Sequence, residues 1–188
     1  MLQSLTLALC AHPPHGALPA HRAGRRVTPR RQGQNARMTS TAPTDLPPGF
    51  RAIPMGGDFI AVNGPFYLRH EGALVRMGFR VEQRHANPMG NCHGGMLATF
   101  CDMLIPISVH RLRPEIGRRF LPTIQLQVDY LAPAPLGAWV EGEVQVLRVT
   151  RTLVFAQGLV SANGEPALRT SGIFKIGPEF PGPSEIAG

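Results

Sequence analysis

The chain has 188 residues, 43% of them hydrophobic, enough for one domain with a core of its own and too few for two. Its formal charge is +7, but residues 1–37 carry six arginines and no acid, which leaves thirteen basic and twelve acidic residues in the rest. A body this close to neutral argues against a nucleic-acid surface. No apolar run is long enough to cross a bilayer, so no membrane association and a cytoplasmic protein are expected.

The leader, residues 1–37, places its arginines (Arg22, Arg25, Arg26, Arg30, Arg31 and Arg37) after a short apolar run, the reverse of a secretory signal. An arginine-rich, acid-free leader resembles a mitochondrial presequence, yet Pro13, Pro14, Gly16, Pro19 and Gly24 would break the amphipathic helix such a signal uses. The expectation is a disordered basic leader, either an overextended start or a targeting segment, since Met38 opens "MTSTAPTDLPPGF" as a natural amino terminus would. Residues 38–56 read as a linker or short helix. Cys10, Cys92 and Cys101 are odd in number and lack zinc-ligand spacing, which predicts a reducing compartment and neither a disulfide framework nor a metal site.

A domain over 57–177 follows. "DFIAVNG" and "PFYLRHEG" read as short strands ending in turn glycines, and "ALVRMGFRVEQ" alternates at period two. "RHANPMGNCH" is a loop. Met96, Leu97, Phe100, Cys101, Leu104 and Ile105 then recur at helical spacing, predicting a helix over 94–112 that bends or loosens near Pro106. Three long alternating runs come next. "PTIQLQVDYLAP" sets Ile124, Leu126, Val128 and Tyr130 against Gln125, Gln127 and Asp129, "AWVEGEVQVLRVT" repeats the pattern, and "RTLVFAQGLVSANGE" turns at Asn-Gly into "PALRTSGIFKIG". Residues 178–188 read as a flexible, proline-broken tail. One long central helix with several antiparallel strands is an α+β domain, in which the sheet curves around the helix to cover its apolar sides.

Chemistry concentrates in "NPMGNCHGGMLATFCD", residues 87–102. If the helix starts after His93, the N–H groups of Gly94, Gly95 and Met96 have no partners in the preceding turn. The end carries a positive partial charge suited to an anion or a polarised carbonyl oxygen. Two glycines let a ligand approach closely, although the same residues also suit a helix start packed tightly on a strand. Asp102 shares a face with Gly95, Ala98 and Thr99 rather than with the apolar stripe, against the ordinary reading of a solvated helix aspartate. Gly94 and Asp102 lie about 12 Å apart along a helix rising about 1.5 Å per residue. A reacting carbonyl must sit about 3 Å from both its oxyanion donor and its attacking group, so two antiparallel copies of the helix would be needed.

The pattern Asn87-x-x-Gly90-x-x-His93-Gly94-Gly95, with Asp102 seven positions on, resembles the hotdog-fold acyl-CoA thioesterases of the phenylacetate-pathway (PaaI-like) type. "TIQLQVDYLAPAPLG" and "RVTRTLVFAQGLV" are similar to the family's strands after its central helix. The resemblance implies a hotdog fold, a homodimer or dimer of dimers, and hydrolysis of acyl-CoA at the dimer interface without a cofactor. It also implies roles. Gly94 would hold the oxyanion, Asn87 would orient the acyl group or water, His93 would shape the loop, and the partner's Asp102 would be general base or nucleophile. Thr123 falls where the family has a hydroxyl beside that carboxylate, and three or so extra residues in "RPEIGRRF" lengthen the connection before it.

Arg148 and Arg151 have the fork geometry that fits CoA phosphates, or are solvated strand-end cations. Cys92 beside His93 is a weaker nucleophile candidate, because sequence neighbours rarely meet side chain to side chain. The alternatives to hydrolysis are a non-catalytic acyl-CoA-binding hotdog protein and a hotdog enoyl-CoA hydratase or dehydratase. The full Asn/Gly/Asp set disfavours the first, and the lack of a second acid–base pair disfavours the other.

Overall fold

The structure, a computed structural model, describes residues 46–54 and 57–180. The leader expected over 1–37, Cys10 and the tail from residue 181 lie outside the described residues. The elements in chain order are β1 (Arg51–Ala52), α1 (Asp58–Asn63), β2 (Tyr67–Glu71), β3 (Leu74–Arg80), α2 (Gly94–Leu112), β4 (Thr123–Tyr130), β5 (Trp139–Val149), β6 (Leu153–Ala162) and β7 (Glu165–Lys175). The strands form one antiparallel sheet in the order β1-β2-β3-β5-β6-β7-β4. It is not closed. α2 packs against β3, β4, β5, β6 and β7, so the sheet curls around a single long helix. This is the α+β hotdog architecture that the sequence implied.

The wrap follows from patterning. α2 buries Leu97, Phe100, Cys101, Leu104, Ile105 and Val109, and each fully buried Leu, Ile or Phe contributes roughly 1.5–3 kcal/mol relative to exposure. The helix sits so close to the sheet that a Cβ on Gly142 of β5 would lie 2.6 Å from Leu104 Cδ2 and 2.9 Å from Val160 Cγ2. Only glycine admits α2 at that point. The Asn-Gly signal at the β6–β7 connection is realised as a turn with positive φ at both Asn163 (51°) and Gly164 (90°).

Two expectations are revised. "DFIAVNG" is helix α1 rather than a strand: Asp58 stands in its first turn, and Asn63 Nδ2 and Gly64 N–H close its end onto the Phe59 and Ile60 carbonyls at 2.7 Å each. A short apolar run carries no period long enough to separate helix from strand. And the apolar row of β4 is only partly inward. Leu126 and Val128 are half-buried, whereas Ile124 and Tyr130 are 57% and 53% exposed at the two ends of β4, the last strand of the sheet, which pairs only with β7. The helix expected over 94–112 is α2, Gly94–Leu112, with Pro106 inside it.

Between α2 and β4, the inserted "RPEIGRRF" forms a 3-10 turn at Pro114–Ile116 and then pairs with residues 178–180. Arg119 bridges Glu179, and the Phe180 N–H donates to the Arg118 carbonyl at 2.9 Å. The segment seats Ile116 in the core beside Ile105, Val109 and Phe174, and β4 still begins at Thr123. No helix among the described residues is long and apolar enough to cross a membrane.

Candidate functional site

The loop before α2 is held by its own polar groups. Asn87 Oδ1 accepts the N–H groups of Met89 (2.9 Å) and Asn91 (3.2 Å), and the Asn87 N–H donates to the Asn91 carbonyl at 2.7 Å. Gly90 adopts a φ of 74° inside that turn, where a side chain would be strained. The Cys92 N–H donates to Ala134 and the His93 N–H to His85, both at 2.7 Å, so the loop is fastened on two sides before the helix begins.

His93 is the N-cap, extended at φ −63° and ψ 137°. Its Nδ1 accepts the Gly95 N–H at 2.9 Å, which places the proton of a neutral ring on Nε2. Its carbonyl accepts the N–H groups of Met96 (2.9 Å) and Leu97 (3.1 Å). Of the three amides expected to face a ligand, those of Gly95 and Met96 are therefore spent inside the turn, and the Met96 side chain is buried in the core. The Gly94 N–H alone is left with no partner among the described residues. It shares a peptide unit with the doubly bonded His93 carbonyl, and hydrogen bonds to a carbonyl polarise the N–H at the other end of the unit.

The two glycines are glycine for different reasons. A Cβ on Gly95 would come within 3.1 Å of His93 Nδ1, against the capping imidazole itself. A Cβ on Gly94 would meet the Tyr130 ring only at 3.5 Å, ordinary contact, so packing does not forbid it. The space beside Gly94 belongs to a cleft of about 330 Å³ lined by Asn87, Gly94, Leu97, Tyr130, Leu131 and Ala134, among others.

Tyr130, from the last position of β4, is a residue of this site that the motif reading did not single out. Its hydroxyl donates to the Gly94 carbonyl at 2.8 Å. Partial burial raises the phenol pKa, and this keeps it a donor. The available signal was an aromatic closing an alternating strand just before a Pro-Ala turn.

Asp102 stands half-buried in the middle of α2, and Thr123 Oγ1, at the start of β4, donates to its Oδ1 at 2.6 Å. The pair expected to stand together does so despite the insertion. Pro106 is four residues on and has no N–H, so the Asp102 carbonyl lacks its normal helical donor. Gly94 and Asp102 lie on one helix, eight residues and hence about 12 Å apart. The chain does not bring them together by itself.

Arg148 and Arg151 are exposed at the end of β5 and in the turn after it. The register Val149–Val154–Phe174–Thr123 puts that corner at the Asp102 end of the sheet, away from Gly94. Cys92 is buried, and desolvation pushes its thiol up to about 12, as it does for Cys101, so neither is a ready thiolate. Among the described residues no three His, Cys, Asp or Glu side chains are grouped to hold a metal ion.

Comparison with known proteins bears on the fold that carries this site. The sequence model of the thioesterase superfamily matches residues 89–166, from the loop before α2 to the start of β7. A candidate esterase of Pseudomonas aeruginosa is 24% identical over 135 residues, 70% of this chain and 98% of that protein. Human acyl-coenzyme A thioesterase 13 is 32% identical over 76 residues, 40% of this chain and 52% of the human protein, so that match spans about half the relative's length. A hypothetical thioesterase protein of Streptococcus pneumoniae, crystallised with coenzyme A, superposes with a TM-score of 0.53 at 19% identity, covering 61% of this chain and 87% of that one. At that identity the superposition speaks for the fold.

Proposed function

We propose that the chain, which has the hotdog fold and matches the thioesterase-superfamily model over residues 89–166, hydrolyses acyl-CoA thioesters at a site shared by two copies of itself. The observation that carries the reading is the single unpartnered amide of the first turn. Gly94 lines a cleft, has no side chain there, and its N–H, polarised from behind, has no partner among the described residues. A carboxylate braced by Thr123 waits on the same helix, too far away to act on a carbonyl held there.

A second copy resolves the distance. With two α2 helices antiparallel about a two-fold axis, the Gly94 of one faces the Asp102 of the other. β4 offers an edge for such a pairing, since one side of it is uncovered and Ile124 and Tyr130 stand exposed along it.

In that assembly the thioester oxygen accepts the Gly94 N–H, and the carbonyl carbon faces the partner's Asp102. Acting as base, the carboxylate removes a proton from water as the new C–O bond forms and the carbonyl electron pair moves onto the oxygen. The oxyanion then collapses, the C–S bond breaks, and the CoA thiolate takes the proton back from Asp102. Direct attack by Asp102 instead gives an acyl anhydride that water opens to the same products. The thioester is already activated, so neither route requires a cofactor. Thr123 fixes the carboxylate rotamer, and the Asn87 amide lies in the cleft wall where it can orient the acyl group. Arg148 and Arg151, exposed at the Asp102 corner, would meet CoA phosphates in this reading.

Subunit exchange tests the shared site. Gly94→Pro deletes the one free N–H at a helix position that tolerates proline, and His93 already has the extended backbone required before proline. Asp102→Asn deletes the base. Each homodimer should release almost no thiol from acyl-CoA. Mixed and exchanged, half the dimers carry one intact site, and activity should return to about a quarter of wild type. Absence of recovery between exchanged subunits, or a monomeric active protein, would refute the shared site.

A further inference from the structure

The tandem Gly94-Gly95 makes the first turn of α2 the freest backbone in the helix, yet its task is to aim one N–H. That N–H lies in the His93–Gly94 peptide plane, which is fixed by its own carbonyl contacts at one end and, at the other, by the Gly94 Cα it shares with the plane that follows. At the carbonyl end, His93 accepts the Met96 and Leu97 N–H groups. The following plane, made of the Gly94 carbonyl and the Gly95 N–H, is held at both ends. His93 Nδ1 takes the N–H at 2.9 Å and the Tyr130 hydroxyl donates to the carbonyl at 2.8 Å.

We propose that Tyr130 is a positioning residue that, with His93, clamps the Gly94–Gly95 peptide plane and so aims the Gly94 N–H into the cleft. The inference rests on the hydrolase reading above for its consequence, but the clamp itself is a property of the free protein. Its anchor comes from a strand packed against the helix. Tyr130 ends β4, and Thr123 at the other end of the same strand braces Asp102, so one edge strand sets both the oxyanion donor and the carboxylate on α2. The ring has a second effect, since it stands in ordinary contact with the Gly94 position and walls the cleft on that side. Tyr130→Phe keeps the wall and removes only the clamp.

The test compares wild type and Tyr130→Phe as full chains with octanoyl-CoA, following thiol release. A whole oxyanion donor is commonly worth 10²–10³-fold, so a donor left in place but poorly aimed should lower kcat by about tenfold, with KM within about twofold. A residue that merely lines the cleft would raise KM at constant kcat. Combining Tyr130→Phe with His93→Ala should cost less than the product of the two single losses, because both act on one peptide plane. Amide exchange gives a readout independent of turnover: the Gly95 N–H should exchange several-fold faster in Tyr130→Phe at unchanged thermal midpoint. Unchanged kcat, a change confined to KM, or unaltered Gly95 exchange would each overturn the clamp. Wild-type protein that turns over no acyl-CoA would sink the hydrolase reading instead, and the exchange comparison would still decide whether Tyr130 orders the turn.

Discussion

Two places on α2 put a glycine against a close neighbour, and they teach opposite lessons. Where the helix seats on β5, a side chain at Gly142 would overlap Leu104 and Val160, so the missing Cβ is demanded by the protein's own packing. At the first turn, a side chain at Gly94 would touch only the Tyr130 ring, at a normal distance. Neither packing nor backbone strain needs glycine there, since Gly94 is not among the positive-φ residues. A glycine that the fold does not use reserves room for something else, and here the room adjoins the one unpartnered amide of the turn. The seat of α2 serves stability. Its N-terminus, on the proposed reading, serves a ligand.

The contrast is sharpest at the chemistry. Asp102→Asn keeps the acceptor that Thr123 reaches and removes the base, so thiol release should fall by at least about 10²-fold in kcat. The thermal midpoint should barely move. Substitution of the two glycines then separates the regions. Gly142→Ala overpacks the core and should cost about 1–3 kcal/mol in urea unfolding while leaving the cleft residues in place. Gly94→Ala should leave stability equal or raise it by up to about 1 kcal/mol, as alanine reduces unfolded-state freedom. Its methyl nevertheless stands beside the amide, and kcat/KM should fall at least about tenfold, a loss of part of an oxyanion contact. Full activity in Gly94→Ala would mean that the cleft beside it is not where the carbonyl binds. Smaller still is Thr123→Val, which unties the Asp102 rotamer without touching the carboxylate. It should lower kcat a few-fold, in line with loss of one neutral-to-charged hydrogen bond at a partly exposed site.

Much of this was legible before any coordinates, and the limits have physical causes. The α2 stripe, the long strands and the Asn-Gly turn were readable because each has many periods or a backbone constraint that few residues satisfy. The pairing of Thr123 with Asp102 came from the family resemblance rather than from spacing, and the 2.6 Å hydrogen bond brings the two side chains together at the first residue of β4. "DFIAVNG" was not readable, since six residues make too little helix to show a period. The outward half of β4 was not, because alternation reports which side chains share a face and is silent on whether anything covers it. Most instructive is the first turn of α2. Spacing identified three amides lacking helical partners, but which of them stays free depends on the His93 imidazole folding back onto Gly95 and on the His93 carbonyl serving two donors. Those are side-chain and backbone choices made in three dimensions, and they reduce three candidate donors to Gly94.

The faintest expected effect concerns acid, and it links the two regions through His85. This residue is buried against Phe79, and its carbonyl accepts the His93 N–H that leads into the turn. Burial lowers its pKa, the Arg84 charge lowers it further, and Glu82 opposes them. His110 is likewise lowered, mainly by burial, near the far end of α2. A lowered pKa means that the folded state prefers the neutral ring. The unfolded chain begins to take up protons as pH falls through the ordinary histidine value near 6.5, and the folded one does so only at lower pH. Within that window the unfolded state binds more protons, so stability falls with decreasing pH and is flat above about 7. The urea midpoint should therefore hold constant from about pH 8 to 7 and decline toward about pH 5. If His85 carries the effect to the site, Gly95 amide exchange should accelerate over the same range, ahead of the exchange at Leu104 in the core. A midpoint level across the whole range would show that neither histidine contributes, and simultaneous loosening at Gly95 and Leu104 would show that acid acts on the whole domain rather than on the turn.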